Sequence, residues 1–425
     1  MNRLPGLPDG RREVSRWVRT HLADLCGDVG EASSIPGGQQ AADAALAAFD
    51  VRGYADHRNE AWPLSRRGAS GLSPYIRHGL LTLGRVWNAV EGGPDHDVSR
   101  FRDELLWQEY ARHLYARLGT ATRHSLRFSV PERGSTDVDR AHGGPDANRA
   151  VGEHLWSGDE ACLSQALQEL RETGWLPNQM RMWLASHWSV RQGGGWRDGE
   201  DHFFRHLLDG SRAANRVGWQ WTAGALTGKS YGFSRWQVQK RAPGLCASCP
   251  VEDACPIADW PPDEPRAPLP MADPRLRRDQ DVEGTSGPEH AVSRGIPEAV
   301  WLTAESLGQE DPAIRAHPEL PLVFVFDERL LMQLRLSVTR ITFLAETLAD
   351  LSGHRDVEVW RGDPSALLAD RPVATTFAPV PGWRSISDRL TLAMVHPWPW
   401  LIRPHAGSVA SFSAWRKAGG GVIGP

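Results

Sequence analysis

Residues 195–221 read GWRDGEDHFFRHLLDGSRAANRVGWQW, and the fold of the chain turns on how this stretch is read. It lies in a region, from Gln39 to about Trp236, whose apolar residues recur mostly at helical spacing. DELLWQEYARHLYARL from Asp103 and QALQELRETGWLPNQMRMWLASHW from Gln165 follow the same period, and strand-like alternation is nearly absent. This reads as an all-helical domain. Before it, residues 1–35 hold one possible helix, SRWVRTHLADL, and a Gly/Pro/Ser stretch, and form an N-terminal extension. After it, residues 261–297 turn Pro-rich and charged, lack the apolar content for a core and read as a linker.

Beyond the linker the period changes. AVWLT, PLVFVFDE, DVEVWRGD, VATTFAP and LAMVHPW are short runs rich in β-branched and aromatic residues, and helical segments such as RITFLAETLADL alternate with them. That pattern predicts a Rossmann-like parallel α/β domain over 298–418, followed by a flexible tail at 419–425. The fold class is therefore multidomain, an all-helical domain over 36–260 followed by an α/β domain. No G-x-G-x-x-G follows the first strand, so a dinucleotide bound in the Rossmann manner is not supported.

Composition narrows the function less. The 425 residues carry a net charge of -4, which does not suggest a generic nucleic-acid binder, though net charge says little about one focused groove. No apolar run approaches the roughly 18 residues of a membrane span, and the start has no apolar signal region, so a cytoplasmic location with no membrane partner is expected. Lys229, Lys240 and Lys417 are the only lysines. Arginine therefore carries the positive charge, as phosphate binding or simple codon bias would produce. Tryptophan is the outlier at 19 residues. Dense indoles pack cores, stack on flat ligands or carry electrons, and composition does not choose between these.

Cys246, Cys249 and Cys255 sit in CASCPVEDACP, a C-x-x-C followed by a third cysteine. Three thiolates at that spacing suit zinc or an iron–sulfur cluster, and a redox pair is the third option. A fourth ligand would come from Cys26 or Cys162. The Ser/Gly-rich turn in SRRGASGLSPY leads into a helix whose free N–H groups suit a phosphate, or it is an ordinary capped loop.

Six segments in order resemble the flavin domain of photolyases and cryptochromes. They are Tyr54 with Arg58 and Asn59, Ser70-Gly-Leu72-Ser73-Pro-Tyr75, Glu104-Leu-Leu-Trp107, Trp175 through Met182, Trp196-Arg-Asp-Gly-Glu200, and Asp209 through Trp221. The resemblance implies FAD, with Tyr54, Ser70, Leu72 and Ser73 at its phosphates. It implies Asn215 beside the ring N5 and Arg181 with Asp209 as the ion pair next to the ring. Glu104, Trp107, Asn178, Met182 and Trp221 match the positions that contact a flipped-out lesion. Trp219 and Trp196 match members of the family's electron-transfer chain, with Trp156 as the candidate third. Departures from the family pattern are Ala69 for Thr, Gln108 for the Arg after Trp107, Pro177 for His and Ser211 for the second Asp of Asp-Gly-Asp. Asn178, where the (6-4) type has histidine, implies a cyclobutane dimer as substrate.

A bacterial branch of that family carries a [4Fe-4S] cluster, and Cys162-Leu163 with Cys246, Cys249 and Cys255 resembles its ligand set, leaving Cys26 over. Family members place the α/β domain first, so this chain resembles a circular permutant. The implied function is blue-light-driven repair of UV-damaged DNA, with a possible antenna chromophore and with Arg66, Arg67 and Arg112 as candidate backbone contacts. A cryptochrome-like photoreceptor and a light-independent redox protein are the other expectations.

Overall fold

The computed structural model describes residues 2–134, 156, 158–262 and 264–419. The α/β unit is a seven-stranded sheet: β1 (Asn2–Arg3), β2 (Val292–Ser293), β3 (Ala299–Leu302), β4 (Leu322–Asp327), β5 (Val357–Gly362), β6 (Val373–Thr376) and β7 (Leu392–His396), in the order β1-β5-β4-β3-β6-β7-β2. The inner five strands pair in parallel, and the two-residue edge strands pair antiparallel. Every residue of β3 and β6 is buried, which is why these runs are continuously apolar or small rather than alternating. The strand order reverses between β3 and β6, as in a doubly wound sheet.

The helices that shape the site are α1 (Arg11–His21), α2 (Asp95–Leu118), α3 (Ala161–Thr173), α4 (Asn178–Ser186), α5 (Trp196–His206), α6 (Ala214–Ala223), α7 (Val338–Ser352) and α8 (Phe412–Ala418). Gly174, in the left-handed region at φ 66°, ends α3, and Pro177 fixes the entry to α4. The single helical run read from Gln165 is thus two helices with a corner between them.

The first 35 residues are part of the sheet unit. β1 pairs with β5, and Val14, Trp17 and Val18 of α1 enter the same core as Val300, Phe324 and Leu348. The chain then threads along α7: Gly37 N–H donates to Glu346 (2.8 Å) and Gln39 N–H to Asp350 (2.8 Å). The Pro-rich stretch is likewise anchored. Leu276 is buried, and β2 closes the far edge of the sheet on β7.

α2 joins the units. Glu109 accepts from Leu401 N–H (2.7 Å) and Ile402 N–H (3.1 Å), Tyr110 donates to Val409 O (3.0 Å), and Arg117 pairs with Asp279 (3.1 Å). Among the described residues no helix is long and apolar enough to cross a membrane.

Candidate flavin and cysteine sites

Glu104, Trp107 and Gln108 lie at i, i+3 and i+4 on α2, so one helix face carries all three. Asn178, Arg181 and Met182 have the same spacing on α4. Arg181 grips Asp209 with two parallel bonds of 3.0 and 2.8 Å, and its Nε donates to Leu176 O (2.8 Å). This fork-on-carboxylate geometry fixes the start of the turn into α6. Ser211 holds the same turn, its Oγ accepting from Ala213 N–H (3.1 Å).

Asn215, the second residue of α6, is buried at 9% exposure, and its side-chain Nδ2 has no hydrogen-bond partner among the described residues. An unmet buried donor costs about 1–3 kcal/mol, so its position calls for an acceptor from outside the protein. Ser73 Oγ accepts from the Trp175 indole (3.0 Å), tying the Ser/Gly-rich turn to the corner before α4. Ser70 Oγ accepts from Leu72 N–H at 3.4 Å, and the Leu72 side chain is fully buried. Tyr54 stands edge-on to Phe101 (5.0 Å), and burial, with Glu104 next, pushes its hydroxyl well above the ordinary tyrosine range. Gln108 is half-buried.

Two partners of these residues escaped the sequence reading. Arg58 pairs with Glu104 at 3.1 Å, fixing a carboxylate otherwise 40% exposed. Phe412 of α8 stacks on Trp107 with centroids 4.0 Å apart and planes 9° from parallel. The C-terminal helix thereby covers one face of that indole, and Arg416–Asp103 (2.8 Å) pins it to α2. Trp221 is half-buried against Tyr231 at 5.4 Å. Asn178 is exposed and Met182 half-buried. Of the proposed DNA-facing arginines, Arg66 keeps a side chain 49% exposed beside Glu60. Arg67 and Arg112 do not, and this corrects the sequence reading. Their side chains, 10% and 18% exposed, turn inward onto Glu169 and Glu109.

Trp219, Trp196 and Trp156 are all buried, at 2%, 0% and 3% exposure, in one apolar core. Phe203 bridges two of them, edge-on to Trp219 (5.0 Å) and stacked with Trp156 (6.2 Å). Among the described residues the Trp196 and Trp219 indole N–H groups have no partner, whereas Trp156 donates to Leu184 O (3.0 Å). Glu200, from the same segment as Trp196, lies fully buried against Arg212 and Arg216. Burial pushes its carboxyl above the usual carboxylate range, and the two arginines oppose the rise.

Cys162 on α3 and Cys246, Cys249 and Cys255 line one cavity, closed by Leu245, Ile257 and Arg235. Ala161 N–H points at Cys249 Sγ (3.4 Å). Burial, then neighbouring Cys246, pushes the Cys162 thiol far above its usual range. Among the described residues no three metal-ligating side chains are already closed to coordination distance. Cys26 lies elsewhere, its thiol donating to Leu22 O (3.3 Å). A second cavity sits between the helical unit and the sheet, lined by Thr82, Arg112, Glu305, Asp311 and Trp398.

Residues 164–241, which hold the Arg181–Asp209 fork and Asn215, match the FAD binding domain of DNA photolyase. Over 202 residues the chain is 30% identical to the deoxyribodipyrimidine photo-lyase of a Synechococcus strain, covering 44% of this chain and 38% of that protein. The Escherichia coli deoxyribodipyrimidine photo-lyase is 28% identical over 205 residues, covering 46% and 41%. The chain thus spans about two fifths of the length of the curated relatives it matches. Among solved structures, a class III photolyase from Agrobacterium tumefaciens aligns with a TM-score of 0.35 at 26% identity, over 44% of this chain and 38% of that one. A Synechocystis cryptochrome aligns at 0.41 and 20%, over 51% and 44%. Residues 164–241 of the helical unit thus resemble the FAD binding domain of DNA photolyase. Through this segment the chain is similar to deoxyribodipyrimidine photo-lyases, and the strands of the parallel α/β sheet follow it in sequence.

Proposed function

We propose that the protein is a blue-light-driven DNA repair enzyme that holds FAD in the helical unit and acts on cyclobutane pyrimidine dimers. When bound and reduced, FAD supplies a light-excitable electron source, and the rest of the work falls to the chain's own side chains. The observation that carries the reading is the buried side-chain Nδ2 of Asn215, without a partner among the described residues and set shortly after the Arg181–Asp209 fork in sequence. An acceptor nitrogen on a flat ring would satisfy it. Tyr54, Ser70, Leu72 and Ser73 would hold the phosphates, with Gln108 and Ser211 at the rim. Glu104, steadied by Arg58, and Asn178 would hydrogen-bond a flipped dimer, while Trp107, Met182 and Trp221 form its walls.

Asn215→Leu separates this reading from a structural one. The unliganded protein should keep its stability to within about 1 kcal/mol, because an unmet donor is being removed. FAD should be lost on purification. A variant that is destabilised and retains FAD in full would contradict the assignment.

Trp219, Trp196 and Trp156 are proposed to pass electrons toward the flavin during photoreduction, a role a cryptochrome-like receptor would share. The four cysteines are proposed to carry a [4Fe-4S] cluster, since four thiols lining one cavity match its donor set. Cys162→Ala should remove the broad absorption near 400 nm with the iron content. Full iron in that variant, or stoichiometric zinc in the parent, would refute it. An antenna chromophore would belong in the crevice beside Trp398 and Arg112, at the carboxyl ends of the strands. On this reading the helical-then-α/β order is a circular permutation.

A further inference from the structure

The turn that carries Asp209 is held on both sides, and one of the side chains that hold it is a cation from the α/β unit. Arg340, on α7, is 3% exposed. Its Nη2 donates to Gly210 O (2.7 Å), its Nη1 donates to Phe204 O, and the guanidinium lies over the Phe204 ring at 4.5 Å. Arg77 Nε donates to the same Gly210 O (2.9 Å), and His78 Nε2 lies 3.0 Å from Leu208 O. Arg77 and His78 are themselves tied across the domain boundary, to Glu305 (2.8 Å) and to Ala304 O (2.6 Å). The carbonyls before and after Asp209 are therefore both fixed, and the one after it is fixed from the other domain. Gly210 permits the approach: a Cβ there would lie 2.3 Å from Arg340 Nη1.

Interface packing alone does not account for this arginine. A buried guanidinium is costly to desolvate, and an apolar side chain would hold two units together more cheaply. Other buried arginines at unit boundaries, such as Arg117 on Asp279 at 3.1 Å, meet a carboxylate directly. Arg340 makes no ion pair within 4 Å among the described residues, and its identified partners are carbonyls on the turn of Asp209. Burial and neighbouring Arg77 disfavour its charge, and among the acids Asp209 supports it most. With Asp209 already neutralised by Arg181, Arg340 leaves a net positive charge behind the fork, in a low-dielectric setting where charge acts over distance.

The geometry points to Arg340 as a positioning residue through which the α/β unit sets the Asp209 turn and biases the bound flavin toward its more negative, reduced form. This rests on the FAD reading above. The consequence is that the sheet unit, wherever it stands in the chain order, is part of the flavin site.

The test is the midpoint potential and dissociation constant of FAD in the full-length protein, its Arg340→Met and Arg340→Lys variants, and Arg117→Met as a control. Arg340→Met should bind FAD at least about ten-fold more weakly and shift the potential negative. Arg340→Lys should bring the potential back toward the parent value. Arg117→Met should lose stability with the potential unchanged. Should Arg340→Met fail to fold, Arg340→Lys and Gly210→Ala decide: Gly210→Ala, which pushes the guanidinium away, should mimic the negative shift, and the lysine variant should not. An unchanged potential in folded Arg340→Met, or equal shifts in the Met and Lys variants, overturns the inference. A parent protein that binds no FAD would instead overturn the flavin reading itself.

Discussion

Asp209→Ala is expected to lower the stability of the unliganded protein by about 3–5 kcal/mol and to abolish FAD retention, because it strands a guanidinium. The Arg181 side chain is only 17% exposed and Asp209 5%, and both bonds of the fork are within 3.0 Å. Removing the carboxylate leaves two N–H donors unmet beside a third that is fixed to Leu176 O. The double variant Arg181→Met with Asp209→Leu should recover most of the stability, since an apolar pair of similar volume avoids the desolvation cost. It should not recover the flavin. Urea unfolding gives the first quantity and FAD content after desalting the second. An Asp209→Ala protein within about 1 kcal/mol of the parent would show that the fork is not the anchor described.

The second large effect concerns a residue that carries no chemistry. Gly199 lies inside α5, where alanine ordinarily stabilises a helix by about 1 kcal/mol. Here a Cβ would sit 2.1 Å from Cη2 of Trp219, a rigid ring 2% exposed and backed edge-on by Phe203 at 5.0 Å. Gly199→Ala should therefore cost about 3 kcal/mol, the sign reversed by overpacking. Gly84, also helical, has nothing within 4 Å of its would-be Cβ, and Gly84→Ala should stabilise by about 1 kcal/mol. Thermal midpoints of the two variants check the pair. A destabilised Gly84→Ala, or a neutral Gly199→Ala, would contradict the packing described. The displaced Trp219 should also slow flavin photoreduction in Gly199→Ala.

The parts of the fold legible in the sequence are those whose signal is local. Strands β3, β4 and β6 stand out because burial on both faces favours runs of apolar or small residues, and α2 because the helical spacing that starts at Asp103 persists to Leu118. The N-terminal extension was not legible as part of the sheet. β1 is two residues long, and its partner β5 lies more than 350 positions away. The site divides the same way. Arg181, Asp209 and Asn215 are visible as a motif because they fall within 35 residues, on α4, in the turn after α5 and at the start of α6. Arg340 and Phe412 are not, since each meets its partner across the domain boundary from an otherwise ordinary helix. Arg67 and Arg112 show the converse: composition cannot tell a solvated arginine from one turned onto a buried glutamate.

The most direct measurement is repair itself. Reduced protein is incubated with an oligonucleotide carrying one cyclobutane thymine dimer, under blue light and in the dark, and restored thymines are counted. The account predicts light-dependent restoration that Glu104→Ala combined with Asn178→Ala abolishes while FAD remains bound. No restoration by a protein that binds and photoreduces FAD would contradict it and leave the photoreceptor reading in its place.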